Sequence, residues 1–120
     1  MPPSRSRPAP DPRRRAAETL AGWLLRLKLY RIVATRYKTP VGEIDIVAQK
    51  GRRIVFIEVK QRSGSRSARD QALASVNTAR IVRCAEWFQS AHPAYQGYDF
   101  RFDVITLAPG RWPHHLVNAF

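Results

Sequence analysis

Two stretches of the chain repeat apolar residues every three or four positions, the period of an amphipathic α-helix. The first runs from about Arg13 to Leu29, where alanines and leucines recur and few residues are β-branched. Asp11-Pro12 supplies a cap with proline in the first turn. The second runs from about Asp70 to Ala91 and ends at His92-Pro93. Its predicted buried stripe contains Leu73, Val76, Ile81, Cys84, Ala85 and Phe88.

The other apolar runs are short and rich in residues that favour β-strands. The predicted strands span 29–37, 42–49, 53–61, 100–107 and about 115–117. Lys50-Gly51-Arg52 offers turn chemistry for a hairpin between the second and third strands. The element order α-β-β-β-α-β-β predicts an α/β fold in which helices flank a mixed central β-sheet.

The beginning of the chain lacks this patterning because prolines recur there and little can be buried. Residues 1–12 are therefore predicted to be a disordered, basic, proline-rich tail, and residues 13–120 a single domain. Cys84 is the only cysteine, which fits a reducing compartment. No apolar run approaches the roughly 20 residues that span a bilayer, and no secretory signal is evident. We therefore expect a cytoplasmic protein without a membrane partner.

The chain has 21 Lys and Arg against 9 Asp and Glu, a formal net charge of +12. Such an excess points to nucleic acid, although a merely basic, solvated surface is the plainer alternative. Arginines follow the third strand and continue into the second helix, where they can form a strip that binds phosphate. This predicted nucleic-acid-binding set is Arg62, Arg66, Arg69 and Arg80, with solvated surface as the alternative for each.

Three of the nine acids of the chain lie on the predicted hairpin. Side chains two positions apart point to the same face of a strand. Glu43 and Asp45 therefore share a face of the second strand, and Glu58 and Lys60 share a face of the third. A Lys50-Gly51 turn would set Glu43 opposite Glu58, whereas a Gly51-Arg52 turn would set Asp45 opposite Glu58. Either two-residue turn places all four on one face, with Ile44 and Ile46 on the other face beside Val55, Ile57 and Val59. A three-residue turn would instead split the four between faces, and the apolar pattern disfavours it only weakly.

Facing carboxylates repel, and a divalent cation removes that cost. Mg²⁺ uses one or two carboxylates together with water and substrate phosphate, and Mn²⁺ is an alternative. The predicted metal ligands are Asp45, Glu58 and Glu43. Lys60 can hold an attacking water or neutralise the charged phosphorus centre, and Glu18 on the first helix can be a further ligand or orient water. The alternative is a solvated strand end with ordinary Glu–Lys ion pairs.

At this point the sequence resembles a known family. Asp45 followed by Glu58-Val59-Lys60 looks like the split motif of PD-(D/E)xK nucleases. The segments at 42–47, 55–62, 101–104 and 118–120, with Glu18 and Ala21, resemble the small bacterial YraN-like family. The resemblance implies a restriction-endonuclease-like fold, similar to archaeal Holliday junction resolvases, with Glu18, Asp45, Glu58 and Lys60 at the catalytic positions. Two departures stand out: Arg80 replaces a frequent lysine, and Leu29 or a neighbour replaces a glycine after the first helix.

The expected function is metal-dependent hydrolysis of DNA phosphodiester bonds, on branched or flapped DNA. A non-catalytic nucleic-acid-binding protein with the same fold is the alternative, and a basic ribosome-associated protein is a third. A resolvase would work as a homodimer, because two strands are cut symmetrically. The remaining expectations are that Asp103 pairs with Arg101 or another arginine, that His114-His115 binds no zinc, and that all three tryptophans belong to the core: Trp23, Trp87 and Trp112.

Overall fold

The computed structural model describes residues 12–61 and 77–120. Within them, two α-helices accompany a five-stranded sheet, in the predicted order α-β-β-β-α-β-β. The helices are α1 (Pro12–Leu27) and α2 (Thr78–Ala91), and the strands are β1 (Arg31–Thr39), β2 (Gly42–Lys50), β3 (Arg53–Gln61), β4 (Asp99–Leu107) and β5 (His114–Leu116). Most of the predicted tail, and Arg62, Arg66, Arg69, Leu73 and Val76, lie outside the described residues.

The strands lie side by side in chain order, and only β3 and β4 pair in parallel. The sheet is therefore mixed, as predicted, because the chain crosses back through α2 between β3 and β4. Lys50 pairs with Arg53, so the tight turn is Gly51-Arg52, and Gly51 takes the positive φ of 60°. Of the two turns that the sequence leaves open, this is the one that sets Asp45 towards Glu58.

Helix α1 begins at Pro12 and ends in a Schellman motif. The N–H of Tyr30 donates to the carbonyl of Leu25 at 2.9 Å, and the N–H of Leu29 donates to that of Arg26 at 2.9 Å. This geometry needs a left-handed residue, and Leu29 adopts a φ of 71° with its side chain 80% exposed. Leu29 thus occupies the position for which glycine is best suited.

Helix α2 begins at Thr78 and its cap Asn77 is not helical, so the prediction of one continuous helix from Asp70 is wrong at this point; residues 70–76 themselves lie outside the described residues. Asn77 is its N-cap, and the Asn77 side chain accepts a hydrogen bond from the N–H of Arg80 at 3.1 Å. A capping asparagine has non-helical dihedral angles, and this breaks an apolar pattern that otherwise reads as continuous. The end at Ala91, followed by His92, is as predicted.

The sheet carries a core on each face. One cluster joins α1 to the sheet and includes Leu25, Ile46 and Ile57; the other joins α2 to it and includes Ile44 and Phe88. The prediction that Ile44 and Ile46 share a face is therefore wrong. The simple alternation fails near Asp45, where Arg36 in the paired strand β1 has a φ of 48° and the regular pairing of β2 with β3 ends at Ile46.

The prediction that the three tryptophans are buried is also wrong. Trp23 is 59% exposed, Trp87 48% and Trp112 89%. Helix α1 buries Ala17, Ala21 and Leu25 against the sheet, whereas Trp23 lies on the outer face of the helix. Within the described residues, neither helix is long and apolar enough to cross a membrane.

The buried carboxylate of Asp103 ties the end of the described chain to the sheet. It accepts hydrogen bonds from Arg101, from Nε2 of His115 at 2.7 Å and from the N–H of Asn118 at 2.9 Å. Burial alone would raise the pKa of Asp103, but these bonds outweigh it and the net shift is downwards. The predicted Arg101 partner is confirmed, and the role of His115 is one that the sequence did not suggest.

Candidate active site

Asp45 lies where the regular pairing of β2 with β3 ends. Beyond the pair Ile46–Ile57, Oδ2 of Asp45 accepts a hydrogen bond at 2.8 Å from the backbone N–H of Val59. Oδ1 accepts one at 2.7 Å from Nη2 of Arg14. Burial raises the pKa of Asp45 above its ordinary value, although Val59, Arg14 and nearby lysine charge oppose the rise. These two hydrogen bonds thus hold the Asp45 carboxylate where β2 and β3 begin to separate.

Glu58 is buried beside Asp45, and its Oε1 atom has no hydrogen-bond partner among the described residues. Burial and the charge of Asp45 raise the pKa of Glu58 to about 7, against the opposing effects of Lys60, Arg80 and the backbone N–H of Asp45. A buried oxygen without a partner normally costs free energy. This oxygen is therefore available to a ligand, and its carboxyl group exchanges its proton near neutral pH.

Glu18 enters the cluster from α1. Its carboxylate lies 3.4 Å from Nε of Arg14 and 3.8 Å from Nε of Arg36. Burial and the charge of Asp45 raise the pKa of Glu18, while the two arginines lower it. Arg14 therefore bridges Glu18 and Asp45, and one of the Glu18 oxygens, Oε2, is buried without a hydrogen bond in the described part of the chain.

Lys60 and Glu43 are half-buried at the edges of the same cluster. The charge of Lys60 lowers the pKa of both Asp45 and Glu58, and that of Glu43 raises the pKa of Asp45 and Glu18. These effects are electrostatic and weaken with distance, so Lys60 and Glu43 lie close to the carboxylates on which they act. The structure therefore brings together Glu18, Glu43, Asp45, Glu58 and Lys60, all the carboxylates and the lysine that the sequence proposed for the site.

Arg80 reaches the cluster from α2, on the opposite side of the sheet from α1. The positive charge of Arg80 lowers the pKa of Glu58. The Nε atom of Arg80 is buried without a hydrogen-bond partner among the described residues. The side chain passes over Gly42, where an added Cβ would lie only 2.9 Å from Cδ of Arg80. Gly42 also has a φ of 154°, so glycine is required there for both space and backbone conformation.

The donor set fits a cation that takes few protein ligands. Among residues 12–61 and 77–120, no group of three or more His, Cys, Asp or Glu side chains is arranged to hold a metal ion. Mg²⁺ is commonly bound by only one or two carboxylates, with water and phosphate completing its coordination. Asp45 and the unpartnered Oε1 of Glu58 supply oxygens of that kind. The three-carboxylate set that includes Glu43 is not formed in this arrangement.

Two members of the cluster are missing from the sequence prediction. Arg14 is four residues before Glu18, a helical spacing that places oppositely charged side chains together, so the sequence did contain a signal. The sequence contains no such signal for Arg36, because the direction of its side chain depends on a left-handed backbone conformation within β1. Of the predicted phosphate-binding arginines, only Arg80 lies in the described part of the chain, and it does reach the site.

These features define an α/β protein with a mixed five-stranded sheet that gathers carboxylates, a lysine and arginines where its central hairpin opens. The chain belongs to the family described as "Uncharacterised protein family UPF0102", whose family model matches residues 17–107. This confirms the resemblance to the YraN-like family. The matched span contains the four acids and Lys60, whereas Arg14 and Trp112 lie outside it.

Several bacterial relatives cover most of the chain. One from Parvibaculum lavamentivorans is 47% identical over 104 residues, which are 87% of this chain and 77% of the relative. One from Rhodopseudomonas palustris is 47% identical over 105 residues, or 88% and 79%. One from Methylorubrum extorquens is 42% identical over 123 residues, or 95% of each chain. All three carry the name "UPF0102 protein".

Proposed function

We propose that this protein is a metal-dependent endonuclease that hydrolyses DNA phosphodiester bonds, with branched or flapped DNA as its substrate. The observation that carries the proposal is the buried Oε1 of Glu58, which has no partner among the described residues and belongs to a carboxyl group under the electrostatic influence of Asp45, Lys60 and Arg80. A site that combines carboxylate oxygens with cationic side chains suits a metal ion and a phosphate together. The mixed sheet with a helix on each face is compatible with a restriction-endonuclease-like fold.

Each residue of the cluster has a task in this proposal. Asp45 and Glu58 hold Mg²⁺ or Mn²⁺, and Glu43 and Glu18 support them through charge or by orienting water. A bound ion supplies a Lewis acid that activates water and stabilises negative charge on phosphate. Lys60 orients the attacking water or neutralises charge on the phosphate oxygens. Arg80 directs its unpartnered Nε–H towards the same phosphate.

The charge of the whole chain supports a polyanionic substrate, because +12 attracts phosphate-rich partners over long distances. The predicted strip of Arg62, Arg66, Arg69 and Arg80 would extend that contact beyond the site. Under this proposal the protein acts in the cytoplasm, and a homodimer would present two sites to the two strands of a branched substrate.

A specific observation favours the alternative, a nucleic-acid-binding protein without catalysis. Arg14 lies 2.7 Å from Asp45 and 3.4 Å from Glu18, so a guanidinium already compensates two of the carboxylates. A protein of this second kind would need no metal ion, and its acids would serve to position α1 on the sheet.

Purified protein incubated with linear, flapped and four-way DNA, with Mg²⁺, Mn²⁺ or a chelator, separates the two functions. We expect cutting that requires the metal and falls by at least about a hundredfold in Asp45→Asn and Lys60→Ala, the scale of losing one transition-state contact. Glu86→Gln is the matched control for loss of a carboxylate, because Glu86 is exposed on α2.

The opposing result is equally definite. Binding to the same DNA that is sensitive to salt but indifferent to metal and to Asp45→Asn, without any cutting, would establish the non-catalytic function. Cutting that survives in Asp45→Asn and Lys60→Ala would reject the assigned site, because it would come from other residues or from a contaminant.

A further inference from the structure

A groove of about 800 Å³ lies between α1 and the segment that follows β4, and Gln61 of β3 and Leu107 of β4 contribute to its lining. One wall is the apolar outer side of α1, with Leu20 and Leu24, and the other is the segment that follows β4. Trp23 and Trp112 both line the groove, although they are 59% and 89% exposed. Large aromatic side chains left in water beside a concave surface mark a binding site more often than a structural one.

The chemistry of the groove matches the parts of a nucleotide. The indole rings offer flat surfaces on which bases of any sequence can stack. Arg13 and Arg111 line the same groove, and the guanidinium of Arg26 lies 5.6 Å from the ring of Trp23. Among the described residues that line the groove, none is acidic. Aromatic rings with positive charge around them are what single-stranded nucleic acids bind.

We propose that this groove binds a segment of single-stranded DNA by stacking its bases on Trp23 and Trp112. The charge pattern decides between this occupant and a protein: cationic residues line the apolar surface, and no lining acid would repel phosphate. A protein partner bound by shape and hydrophobicity would have no need of that pattern. Stacking that does not depend on the base sequence also suits an enzyme that recognises the branched or flapped structure of its DNA substrate.

Three lining residues of the groove are chain neighbours of residues in the candidate active site: Gln61 of Lys60, Ala17 of Glu18, and Arg13 of Arg14. Under the proposal, a DNA strand that follows α1 from the site would enter the groove. This link to a flapped or branched substrate rests on the proposed endonuclease function, whereas binding of the single strand itself does not.

The test measures binding of a fluorescent oligothymidylate to the intact chain by anisotropy, in a chelator so that no cutting occurs. We expect Trp23→Ala combined with Trp112→Ala to weaken binding at least about tenfold, because base stacking contributes about 1–3 kcal/mol per base. Trp87→Ala is the matched control, because Trp87 is similarly exposed but lies on α2 and outside the groove. The corresponding changes to Phe should keep most of the affinity, since Phe still stacks.

The possible results separate this inference from the nuclease proposal. Loss of binding in the double variant but not in Trp87→Ala supports the groove, whether or not the protein cuts DNA. Equal binding by all variants overturns it, even if the wild type is a nuclease. Wild-type protein that self-associates in sedimentation, and loses this with Trp23→Ala and Trp112→Ala while binding no oligonucleotide, also overturns it and identifies the groove as a contact between copies.

Discussion

The guanidinium of Arg14 lies 2.7 Å from Oδ1 of Asp45, the carboxylate to which the proposed function assigns a metal ion. The same side chain reaches Glu18, so one cation compensates two acids, and the charge of Asp45 raises the pKa of Glu18. An arginine and a divalent ion would compete for the same oxygen. Arg14 belongs to α1, which also carries Glu18, and so the competition involves the position of this helix against the sheet.

Replacing Arg14 by Gln should expose this competition. In a chelator the variant should melt below the wild type, because two buried carboxylates lose their cation. Mn²⁺ should then raise its melting temperature more than that of the wild type. A tenfold gain in metal affinity corresponds to a further rise of about 5 °C at saturating metal. Differential scanning fluorimetry with and without MnCl₂ measures both effects.

Arg15→Gln is the matched control for this prediction, since Arg15 is exposed on the next position of α1. It should respond to Mn²⁺ as the wild type does. Identical Mn²⁺ shifts in Arg14→Gln and Arg15→Gln would show that Arg14 does not occupy a metal position.

The raised pKa of Glu58 predicts an unusual pH dependence of stability. The folded protein holds the proton of Glu58 up to a pKa of about 7, whereas the unfolded chain releases it near 4.5. Between these values the folded state binds more protons, so its free energy of unfolding falls as pH rises. From pH 5 to pH 8 this one group should cost about 2–3 kcal/mol at 1.36 kcal/mol per pKa unit.

Glu58→Gln removes the titrating group, so the variant should lose less stability than the wild type over this range. Urea unfolding at pH 5, 6.5 and 8 in a chelator measures the difference, with Glu86→Gln as the exposed control. Parallel pH profiles for wild type and Glu58→Gln would contradict the raised pKa. Added Mn²⁺ should restore stability at pH 8 to the wild type only, because the ion favours the charged form.

Leu29→Gly should stabilise the protein by about 1 kcal/mol. A left-handed conformation costs a residue with a side chain roughly 1–2 kcal/mol, and part of the gain is lost to the flexibility of glycine in the unfolded chain. Because the Leu29 side chain is exposed, its removal gives up little burial. The midpoint of urea unfolding at fixed slope gives the change.

Leu27→Gly is the informative comparison, because Leu27 is also exposed but lies in the last turn of α1. There glycine should destabilise by up to about 1 kcal/mol. Two leucine-to-glycine changes two positions apart are thus expected to have opposite signs. The same sign for both would mean that the left-handed dihedral of Leu29 carries no cost.

The order of helices and strands along the chain and the acidic cluster could be predicted because both follow from short-range rules. Alternation places Glu58 and Lys60 together, and a two-residue turn at Gly51-Arg52 brings Asp45 to them. The failures arise where distant elements decide the outcome. The contact of Arg36 with Glu18 needs a left-handed residue inside β1, and no local pattern indicates one.

Two further failures have the same cause. Trp23 is expected in the core with the other tryptophans, but α1 packs Ala17, Ala21 and Leu25 against the sheet and leaves the indole outside. The start of α2 was missed because an asparagine inside an apolar pattern can cap a helix or continue it, and only the folded chain decides.

Asp103 joins parts of the molecule that are far apart in the sequence. Its carboxylate holds Arg101 and His115, and these two side chains contact Tyr30 and Lys28 just beyond α1. The end of α1, β4 and the segment around Asn118 therefore share one buried anion. Their amide protons should exchange with solvent as one cooperative unit, so that loosening the chain near Asn118 also loosens the far end of the helix that carries Glu18.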